Sequence, residues 1–161
     1  MPNAAGIRRV MQILGGPSAT FEDVKANRNG TEKLKGGWIV GGYLSSWVPL
    51  DMPAAFTSGF RVVQDILPSS LTQRADVVLP AAAWAEKDGC WENFAGKIQA
   101  FAAAVAPPEG ARREGDVYLK LLNKTGLYNA EQIRKEMGEP FAAVSLPTEE
   151  AAEPAPQFAE L

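Results

Sequence analysis

The chain has 161 residues, 46% of them hydrophobic and 22% charged, with a formal net charge of -3. That is the size and composition of one globular domain, and the charge balance argues against a nucleic-acid surface, which needs clustered cations. With no histidine and a single cysteine, Cys90, the sequence excludes a Ser-His-Asp triad, imidazole metal ligation, an intrachain disulfide, and an iron–sulfur cluster or structural zinc held by this chain alone.

From the N-terminus, Asn3 is placed to cap a first helix with Ile7, Val10, Met11 and Leu14 at helical spacing and Gly15-Gly16 as its stop. Its exposed side is expected to carry Arg8, Arg9 and Gln12. The segment also lacks the apolar core of a secretory signal, so the chain reads as cytosolic. A second short helix fits "SATFEDVKANRNG", with Thr20 as cap, Asp23 three positions later and Asn29-Gly30 ending it.

The pattern then turns strand-like. "GWIVGG" (37–42), "FRVVQDI" (60–66) and "DVVLPA" (76–81) are short apolar runs that end in polar, proline or glycine residues. Between them, "LDMPAAFTSG" and "SSLTQRA" read as short helices, Pro53 being tolerable only in a first turn. Strands apolar on both faces and joined by helical crossovers predict an α/β fold, a Rossmann-like partial parallel sheet. After Gly89 the periodicity changes. "CWENFAGKIQAFAAAV" predicts a hairpin turning near Ala95-Gly96, and "APPEGARREG" a loop. "DVYLKLLNKTG" predicts a helix capped by Asp116 and closed by Gly126, and a last helix runs from Asn129 to Met137. Residues 1–144 are thus expected to fold, and the acidic, proline-rich residues 145–161 to form a disordered tail.

In open α/β sheets ligands bind at the carboxyl ends of the strands. Those ends carry Gly41 and Gly42, then Gln64 and Asp65, then Glu86, Lys87, Asp88 and Gly89. Paired glycines let a backbone approach a phosphate or sugar, and an amide beside a carboxylate can read a purine edge or ribose hydroxyls. The plainer alternative is a turn at Gly41-Gly42 and a cap at Asp65. Glu86 and Asp88 have the residue types of an acid/base pair, but a solvated Asp-Gly turn explains them equally. Cys90 has Lys87 but also Asp88 and Glu92 nearby, so no field favouring a thiolate is evident. It reads as a small packing residue.

Taken together, "FRVVQDILPSSLTQRADVVLPAAAWAEKDGCWENFAGKIQAF" followed by "APPEGARREGDVYLKLL" resembles the molybdopterin oxidoreductase family. The resemblance is carried by Val63-Gln64-Asp65-Ile66, Ala75-Asp76-Val77-Val78-Leu79-Pro80, Glu86-Lys87-Asp88-Gly89, Asn93, Gly96, Gln99 and Pro107-Pro108-Glu109. It covers about residues 36–122. With Trp84, Trp91, Glu92 and Lys97, this version is similar to the branch that forms the G subunit of bacterial NADH–quinone oxidoreductase, complex I. The resemblance implies that Gly41, Gly42, Gln64, Asp65, Glu86, Asp88, Gly89 and Asn93 are vestigial contacts to a pterin dinucleotide. Active relatives hold a bis-molybdopterin guanine dinucleotide, with iron–sulfur clusters in an N-terminal region that this sequence does not match. Tyr43-Leu44-Ser45 stands where the family often has Asn-Pro, in keeping with relaxed cofactor contacts. No cofactor or metal is therefore expected in this chain, and no catalysis by it alone.

The role so implied is that of a scaffold fragment of a larger subunit, packed against other domains or subunits of the complex. It would lie in the cytoplasm, on the cytoplasmic face of the inner membrane through its complex. The alternative is a module that keeps the guanine-nucleotide end of the cofactor in a formate dehydrogenase-like oxidoreductase. A short sheet also leaves apolar surface uncovered, so self-association is expected when the chain is alone.

Overall fold

The computed structural model describes residues 3–26, 31, 34–44 and 59–147. The helix expected over "LDMPAAFTSG", the Asn29-Gly30 stop and the tail from residue 148 onward lie outside the described residues.

Helix α1 spans Ala4–Leu14 and closes on Gly15, whose φ of 64° needs no Cβ to avoid a clash. Asn3 does occupy the N-cap, but in a left-handed conformation and without a side-chain cap bond. Its Oδ1 instead accepts from the Glu92 amide at 2.9 Å. The expected faces hold in part: Val10 and Met11 line a crevice with Cys90 and Phe141, and Arg8 and Gln12 are exposed. The Asn3–Gly6–Arg9 side turns inward, with Gly6 buried, while Ile7 and Leu14 are 47% and 73% exposed. Helix α2, Phe21–Lys25, begins with the predicted capping box: Thr20 Oγ1 accepts from Asp23 N, and Asp23 accepts from Thr20 N.

The three apolar runs form one parallel sheet in the order β1 (Gly36–Val40), β2 (Phe60–Asp65), β3 (Val77–Pro80). In register, Ile39, Val63 and Val78 share one face, and Val40, Gln64 and Leu79 share the other. β2 is central, paired on both sides, so its end is buried where the edge strands are not. Val63 packs with Leu71, Ile39 and Ala75 to make a small core. On the other face, Trp38 meets Tyr118 edge-on at 5.1 Å. The β2–β3 connection is shorter than a full crossover helix: "SSLTQRA" contributes only a 3₁₀ turn at Thr72–Arg74.

The predicted hairpin is present as antiparallel β4 (Gly89–Glu92) and β5 (Ile98–Phe101). Helix α3 covers Glu114–Leu121, with Arg113 at the cap position, three residues before the expected Asp116, and it ends before the expected Gly126. Asp116 is therefore inside the first turn and not its cap. Helix α4, Ala130–Met137, is capped by Asn129, whose side chain accepts from Gln132 N. α1 and α4 both pack on β4, and Phe141, 2% exposed, fills the space beside them. Among the described residues no helix is long and apolar enough to cross a membrane.

Candidate functional site

The sheet's carboxyl end is held in register one residue past each strand. Gly41 N donates to Gln64 O at 2.8 Å, and Ala81 N donates to Asp65 O at 3.0 Å. On the outer side of β3, Arg112 adds a single parallel bridge. Its amide donates to Pro80 O and its carbonyl accepts from Ala82 N, both at 3.0 Å. The loop before α3 thus acts as a stub of a fourth strand.

Gly41 lies flat against the Asp65 carboxylate, so that a Cβ at Gly41 would overlap it. Asp65 Oδ1 accepts from Ile66 N at 2.8 Å, and the residue lines a 380 Å³ cavity with Ile66, Pro68, Thr72, Gln73 and Pro80. Gly42, with φ of 138°, turns the chain away. Gln64 is fully buried. Its Nε2 donates to Arg112 O at 3.2 Å, whereas Oε1 has no hydrogen-bond partner among the described residues. Exchanging the two ends of the amide would face oxygen against oxygen, so the orphan is the acceptor.

The second group of candidates follows β3, and its polar groups bind the protein itself. Glu86 Oε2 accepts from Ala83 N at 2.8 Å and closes a 3₁₀ turn. Lys87 pairs with Glu114 at 2.7 Å. Asp88 uses both oxygens: Oδ1 accepts from Arg113 Nη1 at 3.0 Å, and Oδ2 from Ala130 N, at the start of α4, at 3.1 Å. Gly89 faces the ring of Phe101 so closely that a side chain there would displace it. Asn93 Oδ1 accepts from Ala95 N and Lys97 N at 2.9 and 3.0 Å, fixing the hairpin turn. Glu86 and Asp88 do not converge as an acid/base pair, because Asp88 is drawn toward Arg113.

Three polar features escaped the sequence reading. Arg113 donates to Asp116 from Nε and Nη2 at 2.8 and 3.2 Å, pairs with Asp88, and lies 5.7 Å from the centroid of the Tyr128 ring. Burial alone would raise the Asp116 pKa. The Arg113 hydrogen bonds, the Tyr128 amide and the nearby positive charges outweigh it and hold that carboxyl below its usual range. Glu92, buried, takes a two-pronged contact from Arg9 at 2.8 and 2.6 Å, which lowers its pKa. Arg112 joins the two groups of candidates: its backbone holds Gln64 while its neighbour's side chain holds Asp88. The only local hint was Arg112-Arg113 preceding a helix with Glu114 and Asp116 in its first turn.

Cys90 sits half-buried in a 170 Å³ crevice with Val10, Met11 and Phe141, and burial pushes its thiol pKa up. A protonated thiol there is a packing group. Among the described residues, no three His, Cys, Asp or Glu side chains are grouped to hold a metal ion.

Known proteins match part of this chain. Residues 50–124 match the molybdopterin oxidoreductase family, a span that takes in β2 to β5, the Arg112 loop and α3. The chain is 46% identical over 67 residues to the alpha subunit of the F420-dependent formate dehydrogenase of Methanocaldococcus jannaschii, covering 42% of this chain and 10% of that protein. It is 46% identical over 56 residues to the G subunit of the NADH-quinone oxidoreductase of Streptomyces coelicolor, covering 35% and 7%. A nitrate reductase of Symbiobacterium thermophilum is 37% identical over 73 residues, covering 45% and 10%. The matched stretch spans a tenth or less of the length of these relatives. The ends of β2 and β3, the hairpin and the arginine loop fall within the family match, Gly41 and Gly42 lie before it, and residues 50–124 are the stretch that is similar to the molybdopterin oxidoreductase family.

Proposed function

We infer that the chain is a structural segment of an NADH–quinone oxidoreductase, complex I, drawn from a component resembling its G subunit and holding no redox centre of its own. The observation that carries this reading is the internal use of the candidate contacts. Asp88 has both oxygens bonded within the chain, Asn93 is tied into the hairpin turn, and Gln64 is fully buried with its amide on Arg112 O. Those bonds keep the strand-end loops in shape without a ligand. The donor set agrees: one cysteine, its thiol pKa raised, and no histidine. The folded unit is residues 1–144, and its partners are other domains or subunits of the same complex, in the cytoplasm. Exposed Val77 and Val78 on the edge strand β3 offer apolar surface for them.

A second reading has one specific observation in its favour. Gln64 Oε1 is an orphaned acceptor at a strand end, as a site keeping the guanine-nucleotide end of a pterin cofactor in a formate dehydrogenase-like enzyme would offer. Such a cofactor would supply the redox chemistry, and Gln64 and Asp65 would hold its nucleotide. Molybdenum analysis and pterin fluorescence on the native assembly separate the two. Absence of both, with co-purification of the other NADH–quinone oxidoreductase subunits, is the expected result. Stoichiometric pterin would overturn the scaffold reading.

A further inference from the structure

Among the described residues, Arg134 is the one basic residue that the fold buries, at 6% exposure. It stands on α4 facing the start of β4, where Nη1 donates to the Gly89 carbonyl at 3.5 Å, too long for a strong hydrogen bond. Its Nε is shut off from solvent and has no acceptor among the described residues. The carboxylates nearby are engaged elsewhere. Asp88 accepts from Arg113 and from Ala130 N. Glu131 lies close enough to feel the Arg134 charge, but its bond is with Lys135, at 2.6 Å. A buried guanidinium in this state has lost its hydration without a replacement, which is costly.

Arg134 also lines a 370 Å³ cavity at the start of α4. Asp88 and Glu131 are its other charged walls, and Phe101, Ala102 and Leu146 are apolar ones. The first turn of α4 adds a second unused donor. Ala130 N is taken by Asp88 and Gln132 N by Asn129, whereas Glu131 N makes no bond among the described residues. Amides in that position carry partial positive charge and favour an anion. The walls decide which anion. Asp88 and Glu131, though each is bound to a cation, repel a phosphate dianion more than a singly charged group. A carboxylate has that single charge, and its flat pair of oxygens matches the fork of a guanidinium.

We propose that this cavity binds a single carboxylate on a short apolar stem. Arg134 and the Glu131 amide hold the carboxylate, and Phe101, Ala102 and Leu146 cover the stem. The guanidinium is already desolvated and positioned, so little further ordering of the protein opposes binding. A free small acid and an acidic side chain of an adjoining domain present this same chemistry. The inference goes beyond the scaffold reading and does not depend on it.

The test uses the ¹⁵N-labelled full chain with three probes: butyrate, its neutral analogue butyramide, and inorganic phosphate. The readouts are the Arg134 Nε–H resonance, assigned with Arg134→Lys, and the Glu131 amide. Butyrate should move both along one saturable curve, with a dissociation constant of about 1–10 mM for a ligand of so few atoms. Butyramide and phosphate should each bind about tenfold more weakly or not at all. In urea unfolding, Arg134→Met should raise the midpoint by removing an uncompensated buried charge, and butyrate should raise that of the original chain only. No saturable response to butyrate, or an equal response to butyramide or phosphate, would overturn the proposal. So would an Arg134→Met chain less stable than the original, because the guanidinium would then be satisfied within the chain. Equilibrium dialysis of labelled butyrate against the native assembly names the source of the carboxylate. Uptake that Arg134→Met abolishes identifies a free acid. No uptake there, with binding by the chain alone, identifies an acidic side chain of a neighbouring domain.

Discussion

Replacing Arg113 with Gln should remove the knot that ties the Asp88 loop to α3 and α4. The guanidinium makes two hydrogen bonds to Asp116 and one to Asp88, and the three side chains are 22%, 22% and 27% exposed. Breaking a fully buried ion pair costs about 3–5 kcal/mol and an exposed one about 0.2–1. This site lies between those limits, and both carboxylates keep an amide partner, Tyr128 N for Asp116 and Ala130 N for Asp88. The expected loss at pH 7 is therefore about 2 kcal/mol. Acid should shrink it. Asp116 has its native pKa below the ordinary 3.8, so its contribution is present above that value and lost as pH falls through the depressed native one. Urea unfolding of both proteins at pH 7 and near pH 2.5 measures the two gaps. A loss under about 0.5 kcal/mol at pH 7, or a gap that does not narrow in acid, would refute the assignment of Arg113 as the organising cation.

Phe141→Ala should cost about 3 kcal/mol in urea unfolding, toward the low end for a buried phenylalanine because the crevice beside Cys90 already gives the site room to relax. Gly41→Ala should cost about 1–2 kcal/mol by forcing a Cβ into the Asp65 carboxylate. Combined with Asp65→Ala, that cost should largely disappear, and strict additivity in the double-mutant cycle would sink the explanation. Gln64→Leu should leave the isolated chain within about 1 kcal/mol of the original, because Arg112 O keeps its bond from Ala82 N and the orphaned acceptor is removed. A loss above about 2 kcal/mol would refute the account of Gln64 Oε1 as an unsatisfied acceptor.

The parallel strands were legible because each is a bounded apolar run, and the hairpin because Ala95-Gly96 marks a turn between two such runs. The capping box at Thr20 and Asp23 was legible for the same local reason. What escaped the sequence depends on distance along the chain. Glu92 meets Arg9 across 83 residues and Asp88 meets Arg113 across 25, and no local pattern encodes either pairing. Asp116 shows how a long-range contact overrides a local rule. As a carboxylate before an apolar run it has the look of a helix cap, but Arg113 and the Tyr128 amide claim it, and α3 starts at Glu114 instead. The α1 stripe was legible only in part, for a related reason. Its apolar period was real, yet the helix is anchored through Asn3 and Arg9, which leaves Ile7 and Leu14 toward solvent.

These long-range pairings bear directly on what the strand-end loops are for. A loop built to hold a ligand needs polar groups whose partners arrive with that ligand, and such groups are left short of hydrogen bonds when it is absent. By that criterion the two halves of the candidate site differ. In the Asp88–Asn93 half, Asp88 and Asn93 are fully engaged by α3, α4 and the hairpin, so its shape is secured from within. In the Gly41–Asp65 half, a buried amide oxygen is left over at the centre of the sheet's carboxyl edge. Arg112 lies between the halves, answering Gln64 with its carbonyl. Asp88 is secured by neighbouring helices, through Arg113 at the cap position of α3 and Ala130 N at the start of α4. The acceptor at Gln64 has no such neighbour among the described residues: it sits in the central strand, and Arg112 reaches over β3 to meet only the amide nitrogen. That asymmetry makes Gln64 the residue whose replacement reports most directly on whether anything still binds at the strand ends.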